Sequence, residues 1–427
     1  MLRGKESFIL KGDICYSKNP HQLEFVEQGY VVCLEGKCQG VYSLLPEVFQ
    51  DLPLEDAGNC LIVPGLTDLH IHGPQYGFRG IGMDLELLDW LNQRTFPQEA
   101  KYEKKEYARQ AYGIFADSLK ESGTTRACIF GTIHVDSPLI LMDLMEKTGL
   151  ITMVGKVNMD RNSPDYLREQ SAQESADSTR RWLKMTEGRY RRTSPILTPR
   201  FTPSCSDRLM ELLGRLQGET GLPLQSHLSE NQGEINWVKN LCPWSSCYGE
   251  AYDRFGLFGE QGKTIMAHCV YSGQKERELM KERGVFIAHC PQSNTNLSSG
   301  IAPAKEYLSM GMNMGLGSDV AGGFSESIFR AMADAVQVSK LRWRLVDNRW
   351  KPLTVEEAFY LGTMGGGAFF GKVGSFLKDY EFDALILDDS SIRYPQSLNM
   401  RERLERFIYV ADHGCIKGKF VAGVRIF

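Results

Sequence analysis

Residues 61–72 read LIVPGLTDLHIH, a short apolar run that ends in two histidines. Further apolar, β-branched runs follow, and helical patterns that end on glycine, such as SDRLMELLGRLQGETG at 206–221, lie between them. The eight runs are 61–72, 124–133, 151–159, 194–201, 222–228, 264–270, 285–290 and 313–319. Strands that alternate with helices predict an α/β fold, a parallel (β/α)8 barrel of the TIM type. A doubly wound open sheet is the alternative.

The two ends of the chain have a different pattern. Residues 1–60 contain hairpin-like strands around EGKCQG and no long helical pattern, and EFDALILDD and CIKGKFVAGVRIF in the tail are also strand-like. We expect both ends to form one small, discontinuous β-sandwich domain beside the barrel. The expected divisions are 1–60 and 375–427 for this domain and 61–374 for the barrel.

Composition limits the classes of partner. The net charge of −4 gives no electrostatic reason to expect nucleic acid or an anionic membrane. The 11 cysteines contain no CxxC pair, which favours a reducing compartment over a disulfide framework. The N-terminus lacks the apolar stretch of a signal peptide, and no run of about 18 apolar residues occurs. These features predict a soluble cytoplasmic protein.

Five of the eight histidines lie at or near the C-terminal ends of predicted strands, at positions 70, 72, 227, 268 and 289. Active sites of such barrels form at that face. His70 and His72 are two residues apart, so both side chains point to the same side of a strand. His289, in AHCPQSN, has two interpretations: it orients a substrate, or it is a hydrogen-bonded core histidine.

A metal site follows from this arrangement. His70, His72, His227 and Asp319, the last in GLGSD, form a nitrogen and oxygen donor set suited to zinc with one position open for water. Glu230 follows His227 by three residues in SHLSE. A carboxyl there suits general acid–base chemistry, whereas its alternative role is that of a residue at the start of a helix.

Several motifs together resemble the amidohydrolase superfamily. They are PGLTDLHIH (64–72), SHLSE (226–230), MAHCV (266–270), AHCPQSN (288–294) and GLGSD (315–319). Further stretches are similar to the guanine deaminase family within it, and they include HIHGPQYGFRG (70–80), LLDWLNQRTFPQE (87–99), TPRF (198–201), ENQGEINWVKNLCP (230–243) and SDVAGG (318–323). The resemblance extends from about residue 60 to 370, and a weaker similarity continues in both tails. Gly73, where relatives often carry alanine, and the HCV stretch at 268–270 depart slightly from the pattern.

The resemblance implies hydrolytic deamination of guanine to xanthine and ammonia in a cytoplasmic homodimer. It implies one Zn²⁺ per chain, held by His70, His72, His227 and Asp319. Glu230 matches the proton shuttle of the family. His268 and Asp319 match the groups that hold the hydrolytic water. Substrate contacts are implied for His72, Gln75, Arg200, Phe201, His227, Glu230 and Asp319.

Other members of the superfamily suggest alternatives for the number of metal ions and for the activity. Two-metal members need a carboxylated lysine on strand 4, and SPILTPRF has none, so one metal is favoured. The zinc deaminases with HxE and PCxxC motifs are not matched. An aminohydrolase or chlorohydrolase acting on another purine, a pterin or a triazine remains the alternative activity. A non-catalytic scaffold would have lost metal ligands, which this chain retains.

Overall fold

The computed structural model describes residues 7–411 and 413–427. Its β-strands are β1 (Phe8–Asn19), β2 (Gln22–Leu34), β3 (Lys37–Tyr42), β4 (Leu54–Pro64), β5 (Leu66–His72), β6 (Thr124–Phe130), β7 (Ile151–Gly155), β8 (Val157–Asn158), β9 (Thr193–Pro195), β10 (Thr198–Pro199), β11 (Leu224–Leu228), β12 (Thr264–His268), β13 (Phe286–His289), β14 (Met314–Leu316), β15 (Ala384–Leu387), β16 (Ile416–Val421) and β17 (Val424–Arg425).

The α-helices of the described residues are α1 (Leu87–Trp90), α2 (Phe96–Glu99), α3 (Lys105–Glu121), α4 (Asp136–Thr148), α5 (Ala172–Thr186), α6 (Asp207–Thr220), α7 (Gln232–Leu241), α8 (Glu250–Asp253), α9 (Gln274–Glu282), α10 (Pro291–Asn296), α11 (Ala304–Ser309), α12 (Ile328–Leu345), α13 (Val355–Tyr360) and α14 (Met400–Val410). A π-helical turn, Leu91–Thr95, joins α1 to α2. None of these helices is both long enough and apolar enough to cross a membrane.

The strands from β5 to β14 form the predicted parallel barrel. The sheets β5-β6-β7-β9 and β11-β12-β13-β14 are parallel throughout, and β8 pairs with β10 between them. The ring closes where the Asp319 amide, just after β14, donates to the His70 carbonyl on β5 at 2.8 Å. Because the first and last strands are bonded, the fold is a closed barrel and the open-sheet alternative is wrong.

Three of the expected runs are each divided between two strands in the structure. The run 151–159 forms β7 and β8, and the run 194–201 forms β9 and β10. Residues 61–64 belong to β4 and pair with β1 and β15 outside the barrel, so the first barrel strand starts at Leu66. Pro64 and Gly65 mark the change of direction between the two sheets.

Both ends of the chain meet in one seven-stranded sheet with the order β17-β16-β15-β4-β1-β2-β3. Its core is aromatic: the Phe8 ring lies 5.2 Å from Phe382 and 5.0 Å from Phe420, centroid to centroid. The sheet thus pairs N-terminal with C-terminal strands, as the strand-like patterns of the two ends predict.

Helix α14 was not expected from the sequence, because the tail was interpreted as strand-like. Asn399 and Glu402 form a capping box at its start, a reciprocal pair of side-chain bonds that satisfies the first free amides of a helix. Its apolar face packs on the barrel, with Phe407 and Phe329 of α12 in edge contact at 5.1 Å. The Asn-x-x-Glu spacing was the signal that could have revealed this helix.

Polar anchors fix the terminal domain to the N-terminal end of the barrel. Arg126, near the start of β6, donates from Nε to Asp383 at 2.7 Å and from Nη2 to Glu381 at 2.8 Å. Lys419 of β16 is buried and donates to the carbonyls of Lys120, at 2.6 Å, and Thr124, at 3.0 Å. These contacts leave the opposite end of the barrel for the residues of the candidate site.

Candidate metal centre and active site

The histidines predicted to share a site converge at the C-terminal end of the barrel. His72 ends β5, His268 ends β12, and His227 is the last but one residue of β11. Parallel strands of a barrel end at one face, so positions far apart in sequence meet there. Asp319 reaches the same point from the loop after β14.

Four of these side chains form a compact donor cluster. Asp319 Oδ1 lies 3.1 Å from His70 Nε2 and 3.3 Å from His72 Nε2, and His72 Nε2 lies 3.3 Å from His227 Nε2. The groups His70–His72–Asp319 and His70–His227–His268 each place their ligand atoms within 4.8 Å of one another. Three imidazoles and a carboxylate suit zinc, which takes nitrogen and oxygen ligands in tetrahedral sites.

The protonation states of the cluster also fit a metal. Burial lowers the pKa of His72 to about 4, so its imidazole is neutral at physiological pH. Burial alone would raise the pKa of Asp319, but the charge and hydrogen bond of His70 and the hydrogen bond of His72 hold it well below the usual range. Metal ligands are neutral imidazoles and ionised carboxylates. The lowered pKa values of His72 and Asp319 favour these forms for the two residues.

Buried nitrogens without protein partners point to the same conclusion. His70 is fully buried, yet its Nδ1 has no hydrogen-bond partner within the described chain, and its Nε2 has only the Asp319 carboxylate, 3.1 Å away. His227 Nδ1 lies 2.6 Å from the Arg200 carbonyl, which only accepts, so Nδ1 carries the proton and Nε2 presents a lone pair. A third group contains Cys290 with His268 and Asp319. Burial raises the pKa of that thiol well above its ordinary value, which disfavours it as a ligand.

Glu230 lies beside the cluster without belonging to the ligand groups found among the described residues. Its Oε2 is 3.4 Å from His268 Nε2, and Ser299 donates a hydrogen bond to Oε1 at 3.0 Å. Burial raises the pKa of Glu230 to about 8, and the negative charge of Asp319 adds to the shift. The carboxyl is therefore protonated at neutral pH in this environment and can donate a proton.

His268 is oriented by a residue to which the sequence analysis assigned no role. Its Nδ1 lies 2.8 Å from Asn294 Oδ1, and an amide oxygen only accepts, so Nδ1 is the donor of this hydrogen bond. The Nε2 atom faces Asp319 Oδ2 at 3.7 Å. Asn294 belongs to the AHCPQSN motif, which was the available signal. His268 and Asp319 both have positive φ, 73° and 46°, a strain that structures retain mainly at functional sites.

A pocket opens over the cluster, with about 420 Å³ of empty space when its open mouth is included. Its polar wall includes Gln75 and Arg200, which are both buried. Phe201 lines the same pocket and contacts Trp237 edge-on, with ring centroids 6.3 Å apart. The structure thus brings together every residue predicted for the site: His70, His72, Gln75, Arg200, Phe201, His227, Glu230, His268 and Asp319.

His289 lies near this centre but outside the pocket lining. Both of its ring nitrogens are buried and have no hydrogen-bond partner within the part of the chain that is described. Burial lowers its pKa to about 4, with a further contribution from His268, so it is neutral. The protein itself therefore does not supply the hydrogen bonds that a core histidine would have.

The comparisons with known proteins agree with this arrangement. Residues 61–426 match the amidohydrolase family. The chain is 38% identical to guanine deaminase of Mus musculus, covering 95% of this chain and 92% of that protein. It is 34% identical to guanine deaminase of Escherichia coli K12, covering 94% and 91%.

A solved structure extends the likeness to three dimensions. The structure of guanine deaminase from C. acetobutylicum, with guanine bound in its active site, superposes with a TM-score of 0.95 at 45% identity. The match covers 99% of this chain and 100% of that chain. The chain therefore belongs to the amidohydrolase family. Within that family, its similarity is to the guanine deaminases.

Proposed function

We propose that this protein hydrolyses guanine to xanthine and ammonia with one bound zinc ion. The observation that carries the proposal is the placement of Arg200 and Gln75 in one pocket with Glu230, above the cluster of His70, His72, His227 and Asp319. The likeness to guanine deaminases over nearly the whole chain supports the same substrate.

His70, His72, His227 and Asp319 would hold the metal. A bound zinc ion lowers the pKa of water and so supplies a hydrolytic nucleophile at neutral pH. His268 Nε2 and Asp319 Oδ2 face each other at 3.7 Å. These two groups would orient the attacking water as its bond to C2 of guanine forms. One water proton would pass by way of Asp319 to Glu230, and the second, on the hydroxyl at C2, would return to Glu230 when ammonia leaves.

Glu230 serves as the proton shuttle. In its protonated form it donates to N3 of the purine as water attacks C2. It then transfers a proton from the water to the amino group, which leaves as ammonia. Its hydrogen bond from Ser299 and its contact with His268 hold the carboxyl at the edge of the pocket during both transfers.

The polar wall of the pocket selects the base. Arg200 offers guanidinium N–H donors, which match the carbonyl oxygen at position 6 of guanine. Gln75 can both donate and accept, which suits the adjacent amide-like edge, and Phe201 contacts the ring. Adenine presents an amino donor at position 6 and has no amino group at position 2.

A panel of bases assayed for ammonia release tests the proposal. We expect release from guanine and release that is about 10⁴-fold slower or absent from adenine and cytosine, because mismatched polar groups in a buried site discriminate strongly. Deamination of adenine at a rate comparable to that of guanine would contradict the assignment. So would preferential hydrolysis of a pterin or a triazine.

The proposal includes three further properties. The family resemblance implies a homodimer, and the composition and cysteine usage favour a cytoplasmic location. The strand patterns of the two ends favour a division into a barrel at 61–374 flanked by a terminal domain at 1–60 and 375–427. Light scattering on purified protein tests the dimer, and elemental analysis tests for one zinc ion per chain.

A further inference from the structure

A buried carboxylate, Glu99, lies behind the polar wall of the pocket. It ends helix α2, is 1% exposed, and is not among the residues that line the pocket. Its Oε2 accepts a hydrogen bond from Arg200 Nη1 at 2.6 Å, and its Oε1 accepts one from Gln75 Nε2 at 2.8 Å. One side chain therefore holds both residues that face the substrate edge.

These contacts fix the orientation of the Gln75 amide. The backbone N–H of Ala321 donates to Gln75 Oε1 at 3.1 Å, and the Glu99 carboxylate only accepts. The amide therefore has a single orientation that satisfies both neighbours. One N–H and one lone pair of Gln75 remain for a ligand.

The same carboxylate sets the charge of the pocket. Arg200 and Glu99 form an ion pair whose side chains are 3% and 2% exposed. A buried guanidinium without such a partner would attract an anion strongly, because a low dielectric environment amplifies its field. With Glu99 as its partner, Arg200 presents directional donors and little net charge.

We propose that Glu99 is a positioning and specificity-determining residue, which makes the pocket select an uncharged purine and reject an anionic one. The inference rests on the proposed function, since it concerns how the same pocket distinguishes guanine from charged purines. Xanthine, the product, loses a proton more readily than guanine. The ion pair therefore disfavours the product anion and assists its release.

The experiment compares wild-type holoenzyme with Glu99→Gln, using xanthine as a competitive inhibitor at two pH values. At the acidic pH xanthine is neutral, and at the alkaline pH it is an anion. Relative to wild type at the same pH, we expect the variant to bind the anion about tenfold more tightly, without tighter binding of the neutral form. We also expect KM for guanine to rise about tenfold, with kcat within about threefold of wild type and zinc content unchanged. The reason is that the variant loses binding that the pocket supplies equally to the substrate and to the transition state.

Two variants serve as controls. Glu99→Asp retains the charge and should keep the wild-type preference for neutral xanthine. Glu169→Gln removes another buried carboxylate, one paired with Lys156, and should leave the ratio of anion to neutral binding unchanged. If Glu99 had a merely structural role, Glu99→Gln would weaken the binding of neutral and anionic xanthine equally. That result would overturn the inference.

A second variant tests the inference if Glu99→Gln fails to fold. If Glu99→Gln does not fold, the double variant Arg200→Met/Glu99→Gln removes both charges. We expect it to fold, bind zinc and show no preference between the two forms of xanthine. If the double variant also fails to fold, charge compensation is not the role of Glu99. Absence of guanine deamination by the wild-type enzyme would overturn the proposed function. If the wild-type enzyme is active but Glu99→Gln changes the affinity for neutral and anionic xanthine by the same factor, this inference alone is overturned.

Discussion

The two ends of the barrel bury polar groups in opposite ways. At the N-terminal end, Arg126 is paired with Asp383 and Glu381, and Lys419 donates to backbone carbonyls. At the C-terminal end, His70 Nδ1 and both ring nitrogens of His289 have no hydrogen-bond partner in the described chain. Both ends contain groups that are costly to bury. The charged groups named at the first end have their partners in the protein itself, whereas these three ring nitrogens do not.

This difference between the two ends indicates that one end contributes to stability and the other to function. Buried polar groups in native proteins are normally hydrogen-bonded, so a set without partners marks a place where a ligand or metal completes the structure. The N-terminal end of the barrel, where the charged groups are paired, joins the barrel to the terminal sheet. The C-terminal end, where ring nitrogens lack partners, contains the donor cluster and the pocket. Substitutions at the two ends should therefore change different measured quantities.

The largest effect is expected at the donor cluster. His227→Ala removes one of four proposed ligands, and we expect loss of bound zinc and a fall in guanine turnover of about 10⁴-fold or more. Zinc is measured by elemental analysis and turnover by ammonia release. His21→Ala is the control, because His21 lies in the turn between β1 and β2 with its side chain 64% exposed. Full zinc occupancy with near-normal turnover in His227→Ala would exclude this residue as a ligand.

A smaller loss is expected beside the cluster. Glu230→Gln preserves shape but cannot transfer protons, so zinc should remain while turnover falls by roughly 10²–10⁴-fold. The same two measurements decide the outcome. Loss of zinc in this variant would show that Glu230 is a ligand, and its role as a shuttle would then be wrong.

The smallest effect on catalysis is expected at the opposite end. Asp383→Asn leaves the buried Arg126 with Glu381 as its only carboxylate partner, and weakening such charge-assisted hydrogen bonds lowers the free energy of unfolding by about 1.5–3 kcal/mol. We expect a lower midpoint in thermal and urea unfolding, with kcat/KM of the folded enzyme within about threefold of wild type. A large fall in kcat/KM at unchanged stability would contradict the separation between the two ends.

Much of the site could be predicted because strand ends coincide with chemistry in the sequence. His72, His227 and His268 each lie at or near the end of an apolar run, and parallel strands bring their ends to one face. The barrel itself was predicted from the alternation of strands and helices. Helix α14 was missed because the strand-like stretches on both sides of it dominated the pattern of the tail.

Glu99, Asn294 and Ser299 could not be assigned from the sequence. Each acts through a contact with a residue distant in the chain: Glu99 with Arg200, Asn294 with His268, and Ser299 with Glu230. A glutamate near the end of an amphipathic segment has no local feature that distinguishes an ion-paired wall residue from a solvated one. Motifs containing Glu99 and Asn294 were recognised, but their roles were not.

The fold class, the residue types at the strand ends and a candidate donor set for a metal follow from the sequence, because hydrophobic periodicity and strand polarity are local properties. Which side chains become partners of one another depends on the folded chain. Closure of the barrel brings Asp319 within 3.1 Å of His70 and places Glu99 behind Arg200. Protonation, amide orientation and net charge in the pocket depend on burial and on partners across the barrel, and neither exists until the chain has folded.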